Sequence, residues 1–418
     1  MKKLIPIGVA ALIIATAASA SAQNYGATTG FPIGEKSRVH TNLDLSVAYD
    51  SNPRRFDSNP ALTGPDGSLL DGTRRQDWRA LIRPGLVVDV PGNSVKFNLG
   101  ANLSISRLLG TGPNNPDTAF GTDISLGLQL GSDDSIVSFR IDNNLVRTPD
   151  YIDSPGAIAS DEFRAPEWND NGTARLTLRP GGRALEFDLG YMFMYSNYDD
   201  SSALSAYQRH GGLFEARWKF LPKTAFVFHA DISRFSPFDE PSGFTTIAGT
   251  PFRVTVGAIG QVTTRLTAEL TAGYEDILAD DSNFSKRGPI GNAILTYAFN
   301  EATSLSIGYR RRIRPVVILN GYSSDMPFVQ AKVGIAGRLV AKLYGHYEFR
   351  GYADSESSKV QVGVGDARLE YWFFEWLMGA VNYRLIVQNP TTELPPTAPL
   401  LLQDFSRHQL FFLAGFRY

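Results

Sequence analysis

Apolar and polar residues alternate with period two along most of the chain. Val39, Thr41, Leu43, Leu45, Val47 and Tyr49 are separated by His40, Asn42, Asp44, Ser46 and Ala48. Successive side chains of a strand point to opposite faces, so this spacing predicts a strand with one apolar and one polar face. The pattern recurs where Val95, Phe97, Leu99, Ala101, Leu103 and Ile105 oppose Lys96, Asn98, Gly100, Asn102 and Ser104, and again at residues 185–195 and 266–274. Roughly eighteen segments show it, centred near residues 44, 84, 101, 126, 141, 174, 190, 214, 229, 256, 270, 294, 308, 332, 345, 366, 381 and 412. Many are ten or more residues long, against about five or six for a strand of a soluble protein. A tilted strand needs about 9–11 residues to cross a bilayer. Near residue 366 the apolar phase changes between Val364 and Ala367, which predicts either a bulge or a strand edge placed elsewhere than the count has it.

The connections alternate as regularly as the strands. Short turns are expected at Pro91-Gly92-Asn93, 131–135, Pro180-Gly181-Gly182, Leu221-Pro222-Lys223, Thr263-Thr264-Arg265, 300–303, near Gly337 and near Glu375. Longer polar loops are expected at 51–76, 111–120, 147–167, 199–206, 236–250, 276–287, 315–327, 353–359 and 389–404. Short turns at one end and long loops at the other are the plan of a membrane barrel. A secreted sandwich or propeller would bury an apolar inner face. Here the second face carries Arg, Asp, Glu, Asn, Gln and Gly at position after position, so it faces water while the apolar face meets lipid. The expected fold is all-β: a transmembrane antiparallel up-and-down β-barrel of about 18 strands, within a range of about 16–20.

Composition narrows the picture further. The 418 residues include no Cys, 39 Gly, 26 Phe and 17 Tyr, with a formal net charge of −2. Without cysteine there is no disulfide framework or thiolate metal site. The near-balanced charge argues against nucleic acid as a partner. Lys2 and Lys3, an apolar run over residues 4–18 and Ala20-Ser21-Ala22 form a signal peptide, with cleavage expected between Ala22 and Gln23. The expected division is a signal peptide at 1–22, a short periplasmic segment at 23–38 and a barrel at 39–418. The segment 23–38 is too short for the plug of a TonB-dependent receptor or the passenger of an autotransporter. At the other end, Leu410, Phe412, Phe416 and Tyr418 resemble the alternating, aromatic-ended strand recognised by the barrel-assembly machinery. The expected location is the outer membrane of a Gram-negative bacterium, among its lipids and lipopolysaccharide.

On this reading the polar face lines the lumen. Its charged candidates are Asp44, Arg79, Arg83, Lys96, Arg140, Asp142, Arg175, Arg179, Glu186, Asp188, Arg217, Arg253, Glu269, Arg310, Arg312, Lys342 and Glu348. They either offer forked guanidinium donors to a passing solute or simply pair with one another across neighbouring strands. The cluster Arg310-Arg311-Arg312-Arg314 stands out as a mouth feature. His229 with Asp231, and His346 with Glu348, are two apart on a strand and close enough to pair. No Gly-x-Ser-x-Gly, His-Glu-x-x-His or phosphate-loop motif occurs. No enzymatic activity, metal or cofactor is expected, and the acidic stretch 276–281 reads as a solvated loop.

The stretch LDLSVAYDSNPRR at residues 43–55, with its Tyr49-Asp50-Ser51-Asn52 element after a strand, resembles the opening of the β-barrel porin family associated with exopolysaccharide operons. The resemblance implies a passive export pore for a secreted polysaccharide. Such a pore would work with a periplasmic polysaccharide export protein and its inner-membrane co-polymerase. It implies no catalytic residues. The alternatives are a general or substrate-specific diffusion porin for small nutrients and a closed surface-binding or structural barrel.

Overall fold

In the computed structural model the described residues are 30–51, 77–109, 118–148, 167–181, 184–198, 206–238, 248–281, 285–314, 322–352, 359–391 and 405–418. The expected signal peptide, the Ala22/Gln23 cleavage site and most of the nine expected loops lie outside them. The strands are β1 (Phe31–Pro32), β2 (Arg38–Asp50), β3 (Asp77–Pro91), β4 (Val95–Leu108), β5 (Thr118–Leu130), β6 (Val137–Thr148), β7 (Glu167–Leu178), β8 (Leu185–Tyr198), β9 (Tyr207–Leu221) and β10 (Thr224–Pro237). They continue as β11 (Phe252–Gln261), β12 (Leu266–Asp276), β13 (Arg287–Ala298), β14 (Ser304–Arg314), β15 (Tyr322–Ile335), β16 (Leu339–Tyr352), β17 (Lys359–Phe374), β18 (Leu377–Pro390) and β19 (Phe405–Arg417). Each expected centre falls inside one of the long strands. From β2 to β19 every strand pairs antiparallel with its sequence neighbours, and β19 returns to β2, closing an 18-stranded barrel.

The two faces separate by environment. On β3, Trp78, Ile82 and Leu86 are 44, 46 and 42% exposed, while the alternate residues Arg79 and Val87 are 6 and 5% exposed. A wall whose apolar side chains are the exposed ones is turned inside out relative to a soluble protein, and only lipid accommodates that arrangement. Aromatic residues concentrate near the strand ends, as in the cluster of Trp218, Phe220 and Phe226 and the pair Tyr49–Trp78. These positions suit the two membrane–water interfaces.

Backbone geometry reflects the same constraint. Gly131, in the β5–β6 turn, has φ of 87°, and a Cβ there would stand 2.8 Å from the carbonyl oxygen of Val137. On the inner face, Asn42 Nδ2 donates to Asn102 Oδ1 at 3.2 Å, reaching across β3 at Gly85. A Cβ on Gly85 would lie 2.0 Å from Asn102 Oδ1, so glycine leaves room for the bridge.

Several expectations are corrected. The change of phase near residue 366 is not a bulge: β17 pairs without interruption with β16 from Lys359 to Tyr371. Val360, Val362 and Val364 simply face inward, with 1, 0 and 6% exposure, on the same side as Asp366, Arg368 and Glu370. The irregularity sits instead between Trp372 and Phe374, at the periplasmic end. The loop expected at 315–327 is shorter, because β15 begins at Tyr322. Pro327 interrupts only one side of the strand, so the β15–β16 ladder skips Met326 and Pro327 while β14 still pairs with both. The structure also adds an element not foreseen: within the expected short periplasmic segment 23–38, β1 folds back, pairing Phe31 with Val39 and Pro32 with Arg38.

The seam between β19 and β2 joins residues more than 350 positions apart. Arg407 donates to both Asp50 oxygens, with Nε at 3.0 Å from each and Nη2 at 2.5 Å from Oδ2, and Gln409 adds a bond of 2.9 Å. All three residues are 0% exposed. Toward the other end Arg417 meets Asp44 at 2.5 Å, and Tyr418 exchanges two backbone bonds of 2.9 Å with Thr41. Two outcomes are expected. Arg407→Ala leaves a buried carboxylate uncompensated and lowers stability by about 3–5 kcal/mol, read as earlier loss of the folded band in semi-native electrophoresis. In this cysteine-free chain, Leu45→Cys with Ala414→Cys, directly paired across the seam, forms a disulfide on oxidation, because facing Cα atoms lie about 4.5–5.5 Å apart.

Candidate functional site: the charged lumen

Period-two alternation carries each candidate side chain to the inner wall, and the register then decides its partners. On β2, β3 and β5, Asp44 meets Arg417, Arg83 meets Asp123 at 2.6 Å, and Arg79 reaches Ser106 at 3.5 Å. On β6 Arg140 holds Asp142 through two bonds of 2.7 and 2.8 Å. Arg175 faces Arg140 across the β6–β7 ladder and has no ion pair among the described residues. Asp188 accepts from Thr177.

The next sector is a continuous network. Glu186 receives Arg179 at 3.1 Å, Arg217 at 3.1 Å and Lys219 at 3.5 Å, and Arg217 continues to Glu215 at 2.7 Å. Asp231 gathers His229 at 2.9 Å, Arg253 at 2.7 Å and Arg209 at 3.7 Å. The expected His229–Asp231 pair therefore forms, inside a larger cluster. Such multiply bonded carboxylates satisfy their lone pairs and fix the guanidinium planes. The result is a stiff wall.

Further around, Glu269 accepts from Asn292, and Glu348 takes Arg350 at 2.7 Å and Ser324. Arg350, two residues from Glu348 like His346, supplies the forked donor to that carboxylate, and His346 lies beside the Tyr344 ring at 5.4 Å. Lys342 and Arg368 share Glu370 at 2.9 and 2.7 Å, and Arg384 meets Asp366 at 3.1 Å. Asp50, Arg209, Asp366, Arg368, Glu370 and Arg384 belong to the inner wall although none was among the sequence candidates. The signal for three of them was present: unbroken alternation from Val360 places Asp366, Arg368 and Glu370 inward.

One sector departs from pairing. Arg310 and Arg312 occupy successive inward positions of β14, opposite Met326 and Ser324 on one side, with Arg310 opposite Asn292 on the other. Neither makes an ion pair among the described residues. Arg310 is 7% exposed, its guanidinium lies 5.2 Å from the Phe328 ring, and its Nε finds no acceptor. Nearer the periplasmic end, Lys332 faces Lys342 across the β15–β16 ladder, and Lys342 faces Arg368. Three cations thus sit side by side with Glu370. By contrast, Arg311 of the same sequence cluster turns outward and meets Asp325 at 3.0 Å. The acidic loop at 276–281 is likewise tied down, Asp280 accepting two bonds from Arg234 at 2.7 and 2.6 Å.

The terminal residues Leu410, Phe412 and Phe416 face outward, Phe412 being 44% exposed. Phe416 stacks on Trp376 with ring centres 6.3 Å apart, and Tyr418 packs on Phe31 at 4.9 Å.

Comparison with known proteins shows the fold. No family model and no curated protein sequence matches the chain. Among solved structures, OpdQ of Pseudomonas aeruginosa is similar with a TM-score of 0.50 and 11% identity, over 92% of this chain and 99% of that one. OccAB4 of Acinetobacter baumannii has a TM-score of 0.47 and 11% identity, over 91 and 98% of the two chains. The outer membrane channel DcaP of Acinetobacter baumannii has a TM-score of 0.45 and 12% identity, over 94 and 100%.

Outside the membrane-spanning segments, Asp133 in the β5–β6 turn accepts from Lys96 at 2.7 Å and Gln129 at 2.8 Å. These bonds, Lys96 first, hold its carboxyl below the usual aspartate range. The contact therefore stabilises the folded turn at neutral pH and is lost as pH falls through that depressed value. Because the pair is largely exposed, Asp133→Asn is expected to cost less than about 1 kcal/mol. The same substitution should flatten the acid-side slope of unfolding midpoint against pH. The closed barrel, its apolar exterior and its charged interior are together those of an outer-membrane barrel of a Gram-negative bacterium.

Proposed function

We propose that the protein is a passive diffusion channel for small anionic solutes. The observation that carries this reading is the pair Arg310 and Arg312, held on the inner wall with no carboxylate in ion-pair contact among the described residues. Most inner carboxylates are already occupied by protein donors, so the positive potential of β14 is not cancelled locally. Lys332 and Lys342 extend it toward the periplasmic end. A desolvated guanidinium without a counter-charge is held at an electrostatic cost of several kcal/mol, which a passing anion relieves. Local positive potential in a low-dielectric wall also concentrates anions at the channel. No bond is made or broken, and no cofactor is needed.

The exit of a secreted polysaccharide, with periplasmic and inner-membrane export partners, remains a second reading, supported by the resemblance of residues 43–55. Part of that resemblance has a structural explanation: Asp50 receives Arg407, and Ser51 receives the backbone N–H of His408 at 2.8 Å. Matching no family model, the chain gives this reading less support than the unpaired arginines give the first.

In planar bilayers under a salt gradient the channel should prefer chloride to potassium. Arg310→Ala with Arg312→Ala should reduce that permeability ratio by about threefold or more. A cation preference in the parent, or an unchanged ratio in the variant, overturns the reading. A deletion strain that loses surface polysaccharide while taking up small anions normally would favour the second reading.

A further inference from the structure

The lipid-facing wall carries a hollow of about 570 Å³ across β8–β12, within the roughly 300–1,000 Å³ of small-ligand sites. Its floor is made of methyl groups, Ala216, Ala258 and Ala272, and its sides of Phe187, Trp218 and Leu270. The register explains the shape. Phe226 faces Trp218 on β9 but Ala258 on β11, so a bulky aromatic ridge steps down directly onto an alanine trough. The hollow opens outward: Trp218 and Leu270 are 52 and 62% exposed.

Directly below it lie two periplasmic turns. The backbone carbonyl of Lys223, between β9 and β10, accepts from Gln261 N at 3.0 Å, which sets that turn against the one holding Arg265 before β12. Lys223 and Arg265 are both exposed, and among the described residues neither side chain has a hydrogen bond or ion pair. Two uncompensated cations therefore stand at headgroup height beneath an apolar trough.

We infer that this hollow is a binding site for an anionic phospholipid of the periplasmic leaflet. An acyl chain lies over Ala258 and Ala272, and the phosphate group is drawn to Lys223 and Arg265. Charge complementarity selects this occupant. A second copy related by a two-fold axis would set the two cations against their own images, and a zwitterionic headgroup would leave their charge unbalanced.

The test uses the full-length barrel in phosphatidylethanolamine vesicles doped, at equal low mole fraction, with acyl-brominated phosphatidylglycerol or acyl-brominated phosphatidylethanolamine. The signal of Trp218 is isolated by subtracting that of a Trp218→Phe variant. Brominated phosphatidylglycerol should quench Trp218 at roughly thirtyfold lower mole fraction than the zwitterionic lipid, the scale expected of two basic residues. Lys223→Glu with Arg265→Glu should abolish that preference, and Ala258→Phe, which fills the trough, should also remove it. Semi-native electrophoresis confirms that each variant is folded. Equal quenching by the two lipids, or a preference that survives the charge reversal, overturns the site. Quenching by neither lipid also overturns it and means that protein covers the hollow. Anion selectivity of the pore is read separately, so failure here leaves the channel reading untouched.

Discussion

The structure depends on one constraint: inside a bilayer no backbone N–H or C=O can be left to water. Eighteen strands satisfy one another only if the last finds the first, so the fold is complete only at the β19–β2 seam. That seam is correspondingly built. Asp50, Arg407 and Gln409 lock one end without exposure, and Arg417 with Asp44 secures the other. The packing of Phe31 on Tyr418 brings the short strand β1 against the C-terminal residue.

Once the barrel is closed, its interior becomes a problem in electrostatics. Charges on neighbouring strands are brought within reach by register, and most neutralise each other in multiply bonded groups such as those around Glu186 and Asp231. These groups stiffen the wall and hold its arginine planes, but they offer little net charge to a solute. On the proposed reading, function resides in what pairing leaves over. The residues left over are concentrated on β14 and β15, where Arg310, Arg312 and Lys332 face partners that are neutral or also positive.

The position of every spanning strand was legible because an apolar exterior and a polar interior impose period two on the sequence. The same rule misleads where the interior is not polar. Val360, Val362 and Val364 face the lumen and are buried there. Taking them as lipid-facing moves the phase of β17 and hides Asp366, Arg368 and Glu370. Pro327 misleads in another way: it looks like loop chemistry, yet a strand can lose one ladder bond at proline and continue on its other side. The Tyr49-Asp50-Ser51-Asn52 element suggested a family, whereas two of its members serve the closing seam.

By itself, then, the sequence determined the class of fold, the approximate strand number, the placement of turns and the inward or outward face of most residues. All of these follow from local periodicity, which needs no knowledge of distant residues. Only the tertiary structure decided which charges meet, because ion pairing depends on register between strands that the alternation leaves free to slide. It also decided that, among the described residues, Arg310 and Arg312 make no ion pair while Arg311, their neighbour in sequence, turns outward to Asp325. The lipid-facing hollow is of the same kind. An aromatic ridge beside an alanine trough exists only once β8 to β12 lie side by side, since its walls and floor come from separate segments of the chain.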